Sequence, residues 1–410
     1  MKYYIFVTEN IKGAGGVQCY VAAKARYLSQ TGWKVKVLSS TTPTKKDCLV
    51  TDLNSYLDGD IFEICLPPFQ YPKWFQRRIL KKMLKVTAPA CAADEIIIES
   101  HNCATSQWAE LLASKLGAQH FFYTMNEHYR GKGKHYVEQM EFYAFKFGRR
   151  EILGSKNAKS RLLDGYVEVT DENAGERAII DEAPIQDVES PKVDALQPMD
   201  WNICYLGRGN KPYVEKIIEG VGLFAGRHQD KQVQFVVVGD FDMHRGLLEG
   251  TLEQHANLKL CELGFLFPLP RRLYEKVDVF IAGSGSARHS AEVGALVIIP
   301  DTETRMANGL LGYETLETIY QGKDSVVTTF EDALERVLVE RIQDRLPNRY
   351  PARVGVEECT RQNFELYAKA EQKKEYYPQE KLMKGRRDWK RFLGILGIMA
   401  FPALYKLIKQ

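Results

Sequence analysis

The chain alternates short, unbroken apolar runs with longer stretches whose apolar residues recur every three or four positions. Runs at Lys2–Val7, Val35–Leu38, Ile61–Cys65, Glu95–Ile98, His120–Tyr123 and Glu151–Leu153 have the length of strands and are separated by helix-patterned segments. A second series repeats the alternation at Ile203–Leu206, Phe235–Val238, Leu258–Leu260, Val279–Ile281, Val297–Ile299 and Ser325–Val327. Runs apolar on both faces, with helices between them, predict parallel sheets covered on both sides. The halves open alike. Lys2–Val7 breaks into Gly13, Gly15 and Gly16 before a helical stretch, and Trp201–Leu206 breaks into Gly207 and Gly209 before the helical stretch Val214–Phe224. The pattern therefore predicts two doubly wound α/β domains facing a cleft. Pro184, Pro191 and Pro198 interrupt the periodicity between them, as a linker does. The expected division is a first domain over 1–185, a linker over 186–200 and a second domain over 201–360. A helix within 361–380 is expected to cross back to the first domain, ahead of a tail over 381–410.

Composition agrees with two cores: 410 residues, 45% hydrophobic and 27% charged, without a repeat or a low-complexity tract. The eight cysteines, Cys19, Cys48, Cys65, Cys91, Cys103, Cys204, Cys261 and Cys359, show no CxxC pair or metal-ligand spacing. They read as small buried residues of a reducing compartment, and no metal site is expected. The apolar Tyr3–Val7 run meets Glu9 and Lys12 at once, which suits a strand and not a secretory leader. Charge is uneven. From Lys381 onward eight Lys/Arg face Asp388 alone, a balance of +7, so the rest of a chain of net charge +3 carries −4. A basic footprint for nucleic acid is absent from the body.

Three turns carry candidate chemistry. In Lys12-Gly13-Ala14-Gly15-Gly16-Val17-Gln18 the third glycine of a dinucleotide fingerprint is replaced by Gln18, and Ser39 and Ser40 stand where a ribose-binding acid belongs, so a nicotinamide or flavin cofactor is not expected. Gly15 and Gly16 still allow close approach of a phosphate or an acceptor. In Gly207-Arg208-Gly209-Asn210-Lys211 two cations adjoin a helix start, the combination that stabilises a diphosphate. The third turn follows the strand Val279–Ile281: Gly283-Ser284-Gly285-Ser286 offers hydroxyls and amides to an anion, and His289 and Glu292 lie on one helix face just inside it. Glu99-Ser100-His101-Asn102 and Thr124-Met125-Asn126-Glu127-His128 each follow a first-half strand, where polar side chains gather at the carboxyl edge. His101, Glu127 and His128 are candidates for orienting a hydroxyl or stabilising charge during transfer. Asp240-Phe241-Asp242 has the spacing of a metal-binding acid pair but reads as a turn.

The order of these features over roughly 1–375 resembles the glycosyltransferases of the GT-B fold, two Rossmann-like domains, and in particular family 4 with its bacterial capsule, exopolysaccharide and lipopolysaccharide members. The resemblance rests on the Gly13–Gly16 loop, on Gly207-Arg208 with Lys211, on the strand end Val236–Asp240, and on the strand-turn-helix Asp278–Gly294. It implies a nucleotide-diphosphate sugar bound in the second domain by Arg208, Lys211, Ser284, Gly285, Ser286 and either His289 or Glu292. It also implies transfer with retention and a polyprenyl-linked glycan acceptor on the cytoplasmic face, without metal or other cofactor. The chain departs from family 4 where the first of two glutamates falls, at Ser284, and has Asn126-Glu127 where members show His-Asp. Catalytic candidates are thus His128, Glu127, His101 and Glu292. A non-catalytic sugar-nucleotide-binding scaffold and a nucleotide-sugar epimerase are the rival readings.

Two basic amphipathic stretches point to an anionic membrane surface. Lys73–Val86 sets Lys73, Trp74, Arg77, Arg78, Lys81, Lys82 and Lys85 opposite Phe75, Ile79, Met83 and Val86. Arg387, Trp389 and Arg391 lead into Phe392–Tyr405, an uncharged run shorter than the about 20 residues a membrane span needs. Trp74, Arg77, Arg78, Lys81, Arg387, Trp389, Arg391 and Phe392 are the expected membrane contacts of a cytoplasmic, peripherally bound protein.

Overall fold

The structure is a computed structural model that describes residues 1–13, 15–41, 48–88, 90, 95–124, 137–175 (side chains from 139), 185–322, 325–351, 354–370, 375–385 and 389–400. The chain falls into two compact units, Met1–Glu182 with Val354–Gln410, and Ala183–Arg353.

The first unit is built on six strands, β1 (Lys2–Thr8), β2 (Trp33–Ser39), β3 (Leu57–Asp60), β4 (Glu95–Ser100), β5 (Gln119–Tyr123) and β6 (Ile152–Leu153), with helices α1 (Gly16–Gln30), α2 (Lys73–Thr87), α3 (Cys103–Leu116), α4 (Val137–Gly148) and α5 (Lys156–Leu162). The sheet is parallel, in the order β3-β2-β1-β4-β5-β6, so the winding reverses between β1 and β4. Tyr4, Ile5, Phe6 and Val7 are all fully buried, the signature of a central strand covered on both faces. The start of α3 is closed by a reciprocal cap in which Asn102 Oδ1 accepts from the Thr105 amide at 3.0 Å and Thr105 Oγ1 from the Asn102 amide at 3.3 Å. One expected strand is displaced. Phe62–Cys65 forms a 3₁₀ turn, because Pro67 and Pro68 follow and cannot feed a ladder, while the polar Leu57–Asp60 serves as the edge strand.

The second unit repeats the plan. Its strands are β7 (Ile185–Gln186), β8 (Trp201–Leu206), β9 (Val233–Val238), β10 (Leu258–Gly264), β11 (Leu269–Pro270), β12 (Val279–Ala282), β13 (Val297–Pro300) and β14 (Ala307–Leu310). Its helices are α6 (Pro191–Asp194), α7 (Val214–Arg227), α8 (Arg245–Gln254), α9 (Arg271–Lys276), α10 (Ser284–Glu292) and α11 (Phe330–Leu334). The main sheet runs β10-β9-β8-β12-β13-β14, reversing between β8 and β12, and β7 pairs with β11 apart from it. Ser325–Val327, expected as the last parallel strand, joins no ladder. Ala307–Leu310 takes the edge instead and runs antiparallel to β13, since the connection over 301–306 is far too short for a parallel crossover.

The chain then returns to the first unit through α12 (Val356–Lys369), α13 (Gln379–Leu382) and α14 (Trp389–Ala400). From α12, Tyr367 stacks on Phe121 of β5 at 4.1 Å and Phe364 lies 5.4 Å from Trp33. From α14, Phe392 and Ile395 enter the first unit's core, where Phe392 sits edge-on to Phe75 at 5.5 Å and to Tyr71 at 5.8 Å. Phe392, expected at a membrane, is therefore a core residue. None of the seven described cysteines forms a disulfide.

Candidate functional site

In the second unit the candidates cluster at the carboxyl ends of β8 and β12, the two strands that flank the reversal of strand order, where open α/β sheets bind their ligands. The turn after β8 is held very close to the turn after β9. A Cβ on Gly209 would stand 2.0 Å from the Asp240 carbonyl oxygen, and one on Gly239, whose φ is +142°, 2.0 Å from that of Gly207. Only glycine fits at either position. The Gly207 amide donates to Val238 at 3.1 Å and the Gly209 amide to Asp240 at 3.1 Å. These two amides fasten one loop to the other.

What remains for an anion is cationic. Arg208 is exposed and Lys211 half-buried, and among the described residues neither forms an ion pair. Burial, and then the charge of Arg208, lower the Lys211 pKa, the opposite of what a carboxylate partner does. Two like charges beside a helix start with no counter-charge form a site that an anion stabilises. Behind them, Tyr205 OH donates to the Arg208 carbonyl at 3.0 Å, and His244 from Nε2 to the Gly209 carbonyl at 2.8 Å. A carbonyl accepts only, so the hydrogen on His244 Nε2 is assigned. The Tyr213 hydroxyl lies against Gly283, where an added Cβ would be 3.3 Å away, and so joins the turn after β8 to the turn after β12.

At that second turn Ser284 has φ +60°, unusual for a residue with a side chain, and its amide donates to Thr318 at 2.7 Å. The Ser284 amide is thus not open to a ligand. The α10 start has no side-chain cap, which leaves the early amides of Gly285 and Ser286 as the orphan donors of the first turn. Ser286 also fixes the helix through its carbonyl, which accepts from Ser290 Oγ at 2.8 Å. One turn on, buried His289 and half-buried Glu292 are paired at 3.5 Å, as their spacing predicts. Asp240 and Asp242 close a turn in which the Asp242 amide donates to Asp240 Oδ1 at 3.1 Å. Among the described residues no cluster of three His, Cys, Asp or Glu is arranged to hold a metal ion.

Gly15 and Gly16, expected to serve a donor phosphate, belong to the first unit, whereas Arg208, Lys211 and the α10 residues belong to the second. The glycine loop of the first unit is tied down: the Gly13 amide and Gln18 Nε2 both donate to the Asn10 carbonyl at 2.9 Å, and the Ile11 amide to Ser39 Oγ at 3.2 Å. Lys12 pairs closely with Asp60.

The chemistry of the first unit centres on a network that sequence reading saw only in part. Glu99, fully buried at the end of β4, accepts from His101 Nε2 at 2.8 Å, Lys24 Nζ at 2.7 Å, Tyr367 OH at 2.9 Å and, at short range, Tyr4 OH. Lys24 also donates to Tyr20 OH at 2.8 Å. Burial alone would raise the Glu99 pKa, but Lys24 and His101 outweigh it and hold the carboxyl well below its ordinary range. An ionised carboxylate only accepts, so His101 Nε2 carries the hydrogen of that bond. Among the described residues His101 Nδ1 is buried and has no partner. The same holds for Thr8 Oγ1, Ser40 Oγ and Thr124 Oγ1, at the ends of β1, β2 and β5. With β4, these are four adjacent strands of the sheet. Each unpaired buried polar atom costs about 1–3 kcal/mol, so this edge is suited to a ligand that brings hydroxyl groups. Glu127 and His128 lie outside the described residues.

Lys24, Tyr4, Tyr20, Tyr367 and His244 were missed from sequence. One signal was present: Lys24 stands on the same helix stripe as Tyr20 and Leu28, four residues to either side, and a charge on an apolar stripe needs a buried partner.

No family model matches the chain, and no curated protein does. Solved structures match over most of its length. A glycosyltransferase from Rickettsia africae is 14% identical, with 89% of this chain and 97% of that one covered at a TM-score of 0.55. S. aureus MnaA, in a co-structure with UDP, is 14% identical over 92% and 99% of the two chains at 0.52. The chain has the GT-B fold. A UDP-GlcNAc 2-epimerase from Neisseria meningitidis, bound to UDP-GlcNAc, shares it at 12% identity over 90% and 100% and a TM-score of 0.52. Within GT-B, identities this low establish the fold and leave the chemistry to be argued from this chain's own residues.

Proposed function

We infer that this chain is a glycosyltransferase that moves a sugar from a nucleoside diphosphate to a hydroxyl of a polyprenyl-linked glycan, in the assembly of bacterial surface polysaccharide such as capsule. It would work peripherally at the inner face of the cell membrane. The observation that carries the reading is the Arg208–Lys211 pair at the reversal of the second sheet, two cations without a described counter-charge. A diphosphate leaving group is the anion this pair is suited to hold. Neutralisation by Arg208, Lys211 and the α10 amides of Gly285 and Ser286 takes the part of a metal ion, so the reading invokes no cofactor.

In the proposed step the acceptor oxygen bonds to the anomeric carbon, the bond from that carbon to the phosphate oxygen breaks, and its electron pair leaves with the diphosphate. The hydroxyl proton passes to the departing phosphate in a retaining transfer, the course that the family 4 resemblance supports. His101 Nδ1 accepts a hydrogen bond that orients the acceptor, with Glu127 and His128 assigned to the same task. Glu292, or His289 beside it, takes the donor's hydroxyls.

A second reading, epimerisation of a free nucleotide sugar, is favoured by the UDP-GlcNAc 2-epimerase neighbour, and a non-catalytic scaffold by Ser284 in place of a family glutamate. Turnover separates the readings. Purified chain given UDP-, GDP- and ADP-sugars is expected to release nucleotide only when a lipid-linked acceptor is present. Conversion of the donor without acceptor would establish the epimerase, and no turnover despite nucleotide binding would leave a scaffold.

A further inference from the structure

We propose that α2 and α14 together form a docking platform for an anionic lipid bilayer, with Trp74, Trp389 and Leu393 entering the interface and the surrounding lysines and arginines meeting lipid phosphates. This deepens the membrane part of the function proposed above. The two helices come from opposite ends of the chain, and contacts between their inner faces bring them together. Phe75, Ile79 and Met83 of α2 and Phe392 and Ile395 of α14 are buried in one core. Phe75 and Phe392 lie 5.5 Å apart, and Gln76 Nε2 donates to the Met383 carbonyl at 3.1 Å.

The outer faces are what a membrane surface requires. Trp74 is 60% exposed, Trp389 53% and Leu393 61%, far above the ordinary exposure of such residues. Both tryptophans flank the buried phenylalanine pair, Trp74 at 5.2 Å from Phe75 and Trp389 at 5.7 Å from Phe392. Each tryptophan thus adjoins the buried pair that joins α2 to α14. Around them Lys73, Arg77, Arg78, Lys81, Lys85, Lys390 and Arg391 are exposed. Among the described residues, Lys73, Arg77, Arg78, Lys81 and Lys85 enter no ion pair. Arg78 lies over the Phe75 ring at 5.8 Å, which leaves its charge at the surface beside the apolar patch.

Aromatic residues ringed by exposed cations suit the boundary between lipid tails and anionic headgroups. Among the described residues no helix is long and apolar enough to cross a membrane, which agrees with a surface that lies on the bilayer. Phe392, by contrast, anchors α14 to the protein. Arg387 lies outside the described residues.

The test is co-sedimentation of the full chain with vesicles of phosphatidylcholine alone and with phosphatidylglycerol added. Strong binding to the anionic vesicles only, weakening with salt, is expected. Reversing Arg77 and Arg78 to Glu should weaken partition by more than the roughly fivefold that loss of one interfacial cation brings. Trp74→Ala with Trp389→Ala should weaken it at every salt concentration, because that part is not electrostatic. All four side chains are exposed, so circular dichroism and unfolding temperature should be unchanged. Equal binding to neutral vesicles, or full binding by the Glu variant, overturns the proposal, as does salt-sensitive dimerisation without vesicle binding. No donor or acceptor is present, so the outcome is independent of whether the chain is a transferase.

Discussion

Replacing Glu99 by Gln tests the buried network of the first unit most sharply. Four donors, from Lys24, His101, Tyr4 and Tyr367, converge on one carboxylate, and the Lys24 and Glu99 side chains are only 1% and 0% exposed. A carboxylate accepts about four hydrogen bonds, so the group is saturated. Gln brings two N–H donors where donors already point and removes the charge that compensates Lys24. Breaking a buried pair from one side costs about 3–5 kcal/mol. In a unit of this size each kcal/mol moves the midpoint by about 2–4 °C, so thermal unfolding should fall by roughly 6–20 °C. The loss should fall on the unfolding of the first unit. Lys24→Met with Glu99→Gln removes both charges while keeping an acceptor for the other donors and should recover part of it, a coupling that the double-mutant cycle with Lys24→Met alone reads directly. The pH dependence has a definite sign. Because folding depresses the Glu99 pKa, its contribution is full above the unfolded value of about 4.3 and is lost as pH falls toward the folded value. Glu110, held at about 2 against burial by Lys146 and His120, acts in the same direction. The wild type should thus lose stability below about pH 4.3 more steeply than the double variant. A Glu99→Gln loss below about 1 kcal/mol, or a double variant no better than the single one, would refute the reasoning.

Further expectations follow from single contacts. Gly209→Ala sets a methyl 2.0 Å from the Asp240 carbonyl, so the two loops must part, with a loss of about 1–3 kcal/mol and of nucleotide binding measured together by calorimetry. His244→Phe keeps a ring but leaves the Gly209 carbonyl unpaired; it should loosen the same loop and raise the nucleotide Kd with a smaller loss of stability. Lys159 has its pKa lowered to about 8 by burial, and its ammonium donates to the Ala174 carbonyl. The unfolded chain binds that proton more tightly, so stability should rise with pH between about 8 and about 10.4; Lys159→Met should be at least as stable at pH 7 and should flatten that slope in a denaturant titration.

The fold was legible wherever local pattern decides it. Val233–Val238 and Lys2–Thr8 read as strands because central parallel strands are apolar on both faces. The pattern misled at the edges. Ile61–Cys65 is apolar but turns before two prolines, and Ser325–Val327 lost the sheet edge to a hairpin strand, because edge positions place few demands on side chains. Arg208, Lys211, His289 and Glu292 were visible because loop and helix spacings are local. Lys24 and Glu99, 75 residues apart, and Tyr367, a further 268 on, were not paired in advance, since only the folded sheet brings them together. The glycine turns were seen, but not their reason: Gly209 and Gly239 are required by the close approach of two loops, and the Gly207 and Gly209 amides make that contact.

The central claim is that Arg208 and Lys211 hold a diphosphate, and isothermal titration of the full chain with UDP, GDP and ADP tests it most directly. The account predicts that one nucleotide binds, that Arg208→Ala and Lys211→Ala each weaken it by about tenfold or more, as loss of a charge-assisted bond implies, and that the uncharged nucleoside binds far less tightly. Binding of a nucleotide with the same affinity in both variants, or of none at all, would contradict it.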